Sequence, residues 1–259
     1  MAGTGNVDLG LSGLFRSEVS NRTRYLDLLE SVLTGTLTED PPADPWSQRA
    51  YDKAKRDLGR DWPATALTMI GTARMRQLRE ACETVLADGV PGDFIETGVW
   101  RGGACVYMTA ILEAWGDTER EVWAADSFQG LPEPALAQDA GDRHHTYHEL
   151  VVSRAEVEAN FRRFGFHDRV NVLEGWFRES LPTAPIERLA ILRLDGDMYG
   201  STMDALTALY PKLSPGGICI VDDYFLEPCR RAVWDYRAAH FIGDEIVDID
   251  GMGVWWRKS

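Results

Sequence analysis

The sequence predicts a doubly wound α/β fold preceded by a helical segment. Three observations carry that prediction. Apolar residues recur at helical spacing through most of residues 21–90. From residue 91 onward, short apolar runs alternate with helical patterns. Strands that alternate with helices imply a parallel sheet covered on both faces. The last two apolar runs have no helix between them, which fits an antiparallel pair at a mixed sheet edge.

Residues 1–20 show weak periodicity and read as an arm or loop. "NRTRYLDLLESVLTG" places Tyr25, Leu28, Leu29, Val32 and Leu33 on one helical face and closes at Gly35. "TEDPPADP" reads as a loop. "WSQRAYDKAKRDLG" and "TALTMIGTARMRQLREACETVLADG" read as two further helices, the second ending at Gly89. The strand "GDFIETGV" then leads through a Gly-rich turn into the helix "GGACVYMTAILEAWG". "REVWAADSF" is the second strand, "SRAEVEANFRRFG" a helix and "DRVNVLEGWF" the third strand. "ERLAILRLDGD" and "STMDALTALYPKL" form the next strand and helix, "GGICIVDDY" and "EPCRRAVWDYRAAHF" the pair after that. "DEIVDID" and "GVWWRKS" would close antiparallel. Residues 129–150, "QGLPEPALAQDAGDRHHTYHEL", break the rhythm; a loop this long in a compact domain is commonly a functional lid.

Composition narrows the function. The 259 residues carry 41 acids against 27 bases, a net charge of −14, which disfavours nucleic acid and anionic membranes as partners. No apolar run approaches the ~20 residues of a membrane span. "MAGTGNVDLG" has neither a basic start nor an apolar stretch, so no secretory leader is read there. Cys82, Cys105, Cys219 and Cys229 lack CxxC spacing and read as buried free thiols. A cytoplasmic protein is expected.

In an open α/β sheet, ligands bind beyond the carboxyl ends of the strands. Each of the first five predicted strands ends in acid: Glu96, Asp126, Glu174, Asp195 with Asp197, and Asp222 with Asp223. One such acid can be a helix cap; five along one rim point to a ligand. The turn "ETGVWRGGA" offers Gly98, Gly102 and Gly103 for a close backbone approach. It does not match GxGxxG and lacks the lysine of a P-loop, so it suits a nucleoside with a small anionic end. Asp126 stands where an acid accepts hydrogen bonds from ribose hydroxyls, a feature that fits NAD and S-adenosylmethionine alike. The later acids separate the two, because hydride transfer has no use for a carboxylate cluster. Asp195, Asp222 and Asp223 converging on one point would make a hard oxygen site for Mg²⁺, able to lower the pKa of a substrate hydroxyl. Asp197 is placed to take the hydroxyl proton. Asp204 reads as a solvated helix residue.

"TMIGTARMRQL", "FIETGVWRGGACVYM", "WAADSFQGLP", "LEGWFRESLPTAP", "LRLDGDMYGSTMDAL", "YPKLSPGGICIVDDY" and "VWWR" together resemble the macrocin O-methyltransferase family, from about residue 20 to the C-terminus. Members are S-adenosylmethionine- and Mg²⁺-dependent enzymes that methylate sugar hydroxyls of glycosylated natural products. The resemblance implies a class I methyltransferase fold, Rossmann-like, with a seven-stranded mostly parallel sheet. It also implies a helical N-terminal extension over 1–90, a catalytic domain over 91–259 and a substrate lid at 129–150. Glu96 and Gly98 would hold the methionine end of the cofactor, with Trp100 and Gly102 also in the cofactor site. Asp126 would bind the ribose, with Ser127 and Phe128 beside it, and Gly175, Trp176 and Phe177 would border the adenine. Met69 and Ile70 would cover the cofactor. Asp195, Asp222 and Asp223 would bind Mg²⁺, Asp195 also facing the cofactor, with Asp197 as general base. His145, Tyr147 and Tyr199 are the expected sugar contacts. A homodimer or higher homo-oligomer is expected, with the helical extension as interface. Trp46 and Trp62 read as core packing, with an aglycone surface as the alternative.

Two readings stand against this one. "DGDMY" superficially matches the DxDx[TV] motif of aspartyl-phosphate phosphatases, though on the fourth strand rather than an early one. A non-catalytic small-molecule binding module on the same fold is the other. "HHTYH" (144–148) raises zinc, but zinc ligands usually stand further apart on ordered elements.

Overall fold

The computed structural model describes residues 11–47 and 50–259, with side chains described from residue 21. Helix α1 (Leu11–Leu33) comes first, so the arm expected over 1–20 is helical from Leu11; residues 1–10 lie outside the described part. Leu11, Leu14, Phe15 and Val19 do repeat at helical spacing, continuing the period of the stretch that follows. Among its described side chains, Leu26, Leu29, Glu30 and Leu33 are buried.

The two following helices are shorter than predicted. Among the described residues of the first, Lys53–Asp57 alone is helical (α2), where the Asp52 side chain accepts the N–H groups of Ala54 and Lys55 and so fixes the start. Asp44 captures the preceding stretch in a turn, its carboxylate accepting Trp46 N–H and Ser47 N–H. Helix α3 runs Gly71–Ala87 rather than starting at residue 65. Thr65 and Ala66 instead give their N–H groups to the Asp40 carboxylate, at 2.8 Å each. Gly71 takes φ +78°, and a Cβ there would lie 2.3 Å from the Gly59 nitrogen. The chain enters α3 through a position only glycine fills.

The alternating part follows the prediction closely. It comprises β1 (Asp93–Thr97), α4 (Gly103–Trp115), β2 (Val122–Asp126), α5 (Arg154–Phe164), β3 (Val170–Glu174), α6 (Phe177–Ser180) and β4 (Leu189–Leu194). Then come α7 (Tyr199–Leu209), β5 (Leu213–Val221), α8 (Glu227–Ala239), β6 (Val247–Asp248) and β7 (Val254–Arg257). Helix α5 shows the local logic. Ser153 caps its first turn, and Gly165 ends it in the left-handed conformation.

The strands form one sheet in the order β3-β2-β1-β4-β5-β7-β6. β3 through β5 are parallel; β7 runs antiparallel to both β5 and β6. Successive strand residues feed opposite faces. Phe94 and Ile191 pack in the core with α1, α3 and α4, while Ile95 and Leu192 pack in the core with α7 and α8. The order reverses between β1 and β4, which opens the crevice at their carboxyl ends. Register sets Glu96 of β1 beside Arg193 of β4.

Candidate active site

A cavity of about 1080 Å³ opens at the carboxyl ends of β1, β4 and β5. That is just above the ~300–1,000 Å³ range typical of a single small-molecule site, enough for two ligands side by side. Of the residues singled out in the sequence, Met69, Ile70, Glu96, Gly98, Trp100, Asp126, Ser127, Gly175, Trp176, Phe177, Asp195, Asp197, Asp222 and Asp223 all line it.

The β1–α4 turn forms one end. Gly98 has φ +86°, and a Cβ on it would meet the Asp195 carbonyl oxygen at 1.6 Å. This glycine therefore lets β1 and β4 end side by side. The Asp126 carboxylate accepts Val99 N–H and Phe128 N–H, both at 2.8 Å, which holds the turn against β2. Burial raises its pKa. Glu96 is buried, and burial pushes its carboxyl up to about 7 despite the Arg193 guanidinium beside it. The Cys105 thiol donates to its second oxygen at 3.1 Å.

Arg193 is the central residue that the sequence reading passed over. Its side chain is 1% exposed. One guanidinium nitrogen donates to Glu96 at 2.6 Å and to Asp195 at 2.8 Å, and another to Asp222. Arg74 of α3 donates to the other Asp222 oxygen and, at 3.1 Å, to Asp250. Two arginines thus offset part of the acid cluster from within. The available signal was an arginine inside the apolar run "LAILRL", which burial allows only with partners.

Asp197 and Asp223 have no arginine partner among the described residues. Asp197 follows β4 with φ +55°, a left-handed conformation that aspartate tolerates better than most residues. Its N–H donates to Asp223 at 2.9 Å, and its own carboxylate takes no hydrogen bond among the described residues. Burial pushes the Asp197 carboxyl up to about 7 and the Asp195 carboxyl up to about 6. Asp223 lies well above the usual range, first through burial and then through Asp197 and Asp195 beside it. Asp195, Asp222 and Asp223 each bring one oxygen within 4.8 Å of the others. Three hard oxygen donors around unbalanced buried charge fit a divalent cation such as Mg²⁺. Asp204, expected on a solvated helix face, is half-buried and lines the same cavity.

The loop at 129–150 is folded over this site. It holds three short 3-10 turns, at Ala137–Asp139, His144–Thr146 and His148–Leu150. Asp139 is 2% exposed and accepts the N–H groups of Tyr199 (2.6 Å) and Gly200 (3.1 Å), capping α7 from across the cleft. The Trp100 indole donates to the Glu149 carbonyl at 2.8 Å. Nothing local in the sequence marks Asp139 for this.

Several expected positions lie elsewhere. Gly102, at φ +84°, backs onto the Phe161 ring, where a Cβ would lie 2.6 Å from a ring carbon. It serves helix packing rather than the cavity. Phe128 buries its side chain in the core and only its backbone meets Asp126. Tyr199 points outward, its hydroxyl donating to Asp235 of α8. Glu174 turns to solvent and pairs with Arg154. His144, not His145, lines the cavity; the buried Nδ1 of His145 has no hydrogen-bond partner. Tyr147 stands a layer back, edge-on to Trp46 and Trp62, which line the mouth. Trp46 is 54% exposed, so it is not the core residue expected.

The comparisons with known proteins agree with this geometry. The macrocin-O-methyltransferase (TylF) family model matches residues 22–258. The chain is 52% identical over 244 residues to 8-demethyl-8-(2,3-dimethoxy-alpha-L-rhamnosyl)-tetracenomycin-C 4'-O-methyltransferase of Streptomyces olivaceus, covering 92% of this chain and 94% of the relative. It is 50% identical over 249 residues to demethyldecarbamoylnovobiocin O-methyltransferase of Streptomyces niveus (93% and 95%). It is 49% identical over 244 residues to mycinamicin III 3''-O-methyltransferase of Micromonospora griseorubida (91% and 96%). Among solved structures, the O-methyltransferase NovP superposes with a TM-score of 0.87 at 49% identity, covering 92% of this chain and 99% of that one. The phosphatase reading of "DGDMY" finds no support among these relatives. The chain belongs to the macrocin-O-methyltransferase (TylF) family and is a methyltransferase, with S-adenosylmethionine the methyl donor that membership implies.

Proposed function

We propose that the enzyme methylates a hydroxyl of a rhamnose-type deoxysugar on a glycosylated natural product, with Mg²⁺ held by Asp195, Asp222 and Asp223. The observation that carries this reading is one cavity joining the Gly98 turn, Glu96 and Asp126 to buried carboxylates in excess of their arginine partners. The relatives named for rhamnosyl-tetracenomycin, demethyldecarbamoylnovobiocin and mycinamicin III support the acceptor class.

The donor supplies a methyl group already activated on a sulfonium, so the protein's task is alignment and removal of a proton. A bound Mg²⁺ would supply positive charge that favours the ionised acceptor hydroxyl. Glu96 faces the ammonium of the methionine end, with Gly98 and Trp100 along the chain. Asp126 accepts from the ribose beside Ser127, and Gly175, Trp176 and Phe177 border the adenine. Met69 and Ile70, from the segment before α3, cover it. Asp197 takes the hydroxyl proton; its unpaired, raised carboxyl suits a base that works near neutral pH. We assign residues 1–90 as a cofactor-covering extension and 91–259 as the catalytic domain. Exposed Tyr25, Leu28 and Val32 on α1 support a homo-oligomer contact there, which sedimentation would overturn by finding only monomer.

The test is a methyl-transfer screen with Mg²⁺ against the three named glycosides, their aglycones and a deoxysugar nucleotide, read by mass. Transfer to a glycoside and not to its aglycone supports the reading. No transfer to any glycoside overturns it.

A further inference from the structure

The mouth of the cavity carries an aromatic wall that the roles assigned above leave without a task. Trp46, Leu136 and Phe225 line the cavity, yet they are 54%, 45% and 45% exposed. Large apolar side chains left open to water and gathered at one opening mark a ligand surface, whereas scattered ones do not. Trp62 lines the same cavity and meets Trp46 edge-on, with ring centroids 4.6 Å apart. One carboxylate fixes the backbone of both tryptophans. Asp44, 6% exposed, accepts Trp46 N–H at 3.2 Å and Ser47 N–H at 2.6 Å on one oxygen, and Trp62 N–H at 3.1 Å on the other. The Tyr147 ring of the lid packs behind them at 5.8 and 5.6 Å. His144, which lines the cavity, stands 5.9 Å from Tyr147. Rings thus run from the lid to the rim. A tryptophan has few rotatable bonds, and with its backbone already held it offers contact area at little cost in entropy.

We propose that Trp46 binds a planar aromatic ring of the acceptor's aglycone, stacked on its indole. The inference rests on the methyl-transfer reading above and deepens it. That reading puts the sugar hydroxyl beside Asp195 and Asp197, where the cavity lining is acidic. The rest of a glycoside must then leave the sugar toward solvent, and there the lining changes from carboxylates to rings. A glycoside with an aromatic aglycone has the same polarity, rich in hydroxyls at the sugar and apolar beyond it. Trp46 is open to such a ring. Trp62 and Tyr147 meet it at 72° and 75°, so neither is stacked on it, and more than half of it faces solvent. A flat ring gains offset stacking there in addition to its buried area, whereas a saturated ring gains the area alone.

The test gives wild type, Trp46→Ala and Trp46→Phe the methyl, 2-naphthyl and decahydro-2-naphthyl α-L-rhamnosides. The last two share a carbon skeleton and differ in flatness. Calorimetry in the presence of S-adenosylhomocysteine gives Kd, and its own binding reports that each variant keeps its fold. Mass detection with S-adenosylmethionine and Mg²⁺ gives kcat and KM. We expect wild type to bind the naphthyl compound roughly 3- to 10-fold more tightly than the decahydronaphthyl one, with the preference in KM rather than kcat. Trp46→Ala should erase that preference and Trp46→Phe should keep part of it. Equal wild-type affinity for the two compounds overturns the proposal without any variant. So does a preference that survives Trp46→Ala. A surviving preference together with a smaller sedimenting species in Trp46→Ala would make the rim a contact between copies of the chain instead. If the naphthyl compound binds through Trp46 and no rhamnoside is methylated, the rhamnose reading falls and the aromatic subsite stands.

Discussion

Replacing Arg193 with methionine removes the cation that Glu96, Asp195 and Asp222 share. Methionine approximates the volume of the arginine stem, so packing changes little and charge changes most. Glu96 then keeps only the Cys105 thiol, and Asp222 keeps only Arg74. Breaking a buried ion pair costs about 3–5 kcal/mol, because the abandoned charge stays out of water. Each kcal/mol lowers the Tm of a chain this size by roughly 2–4 °C, which gives a fall of roughly 6–20 °C. Protonation softens the loss, and Glu96 already sits at about 7, so the fall should be larger at pH 8 than at pH 5.5. The assay is thermal unfolding of both proteins in chelator at the two pH values. Mg²⁺ should recover part of the loss by supplying charge to the same acids. A shift under about 2 °C at pH 8 would refute the view that Arg193 balances this cluster.

Three further outcomes follow from the same geometry. Asp195 at about 6 and Asp197 at about 7 hold protons more tightly folded than unfolded, where the ordinary value is 3.8. Their stabilising contribution is therefore present below about pH 4 and lost as pH rises through 6 to 7. Chelated protein should unfold more readily at pH 8 than at pH 5, and Mg²⁺ should stabilise it chiefly at pH 8; a flat response contradicts this. Gly98→Ala drives a Cβ into the Asp195 carbonyl, so at least about 1–3 kcal/mol of stability and S-adenosylhomocysteine binding should be lost, as urea unfolding and calorimetry would report. Asp139→Ala leaves the Tyr199 and Gly200 N–H groups without their acceptor, costing about 1–2 kcal/mol. Proteolysis within 129–150 should quicken, and unchanged cleavage would mean the lid is held elsewhere.

Periodicity revealed the strands because each alternates between two buried faces, as Phe94 and Ile95 do. The acids at strand ends were legible because carboxylates following apolar runs demand a partner. The start of α3 was not, since Thr65 and Ala66 satisfy a distant Asp40 rather than a helix. Long-range pairing also hid the Arg193 network and the Asp139 cap, which link residues 97 and 60 positions apart. The direction of a side chain within a correctly placed segment was equally hidden. Gly102 and Tyr199 stand beside the site in sequence yet face a neighbouring helix. His144 and His145 are adjacent, yet Asp142 grips His144, which lines the cavity, while the buried Nδ1 of His145 has no partner.

The central claim is that the buried carboxylates Asp195, Asp222 and Asp223 serve methyl transfer by holding a divalent cation. It is tested most directly by following methyl transfer to a glycoside by mass, with excess Mg²⁺ and with EDTA, for wild type and Asp223→Asn. The account predicts turnover with Mg²⁺, none in EDTA, and near-complete loss in Asp223→Asn even at high Mg²⁺. Undiminished turnover of the wild type in EDTA would contradict it.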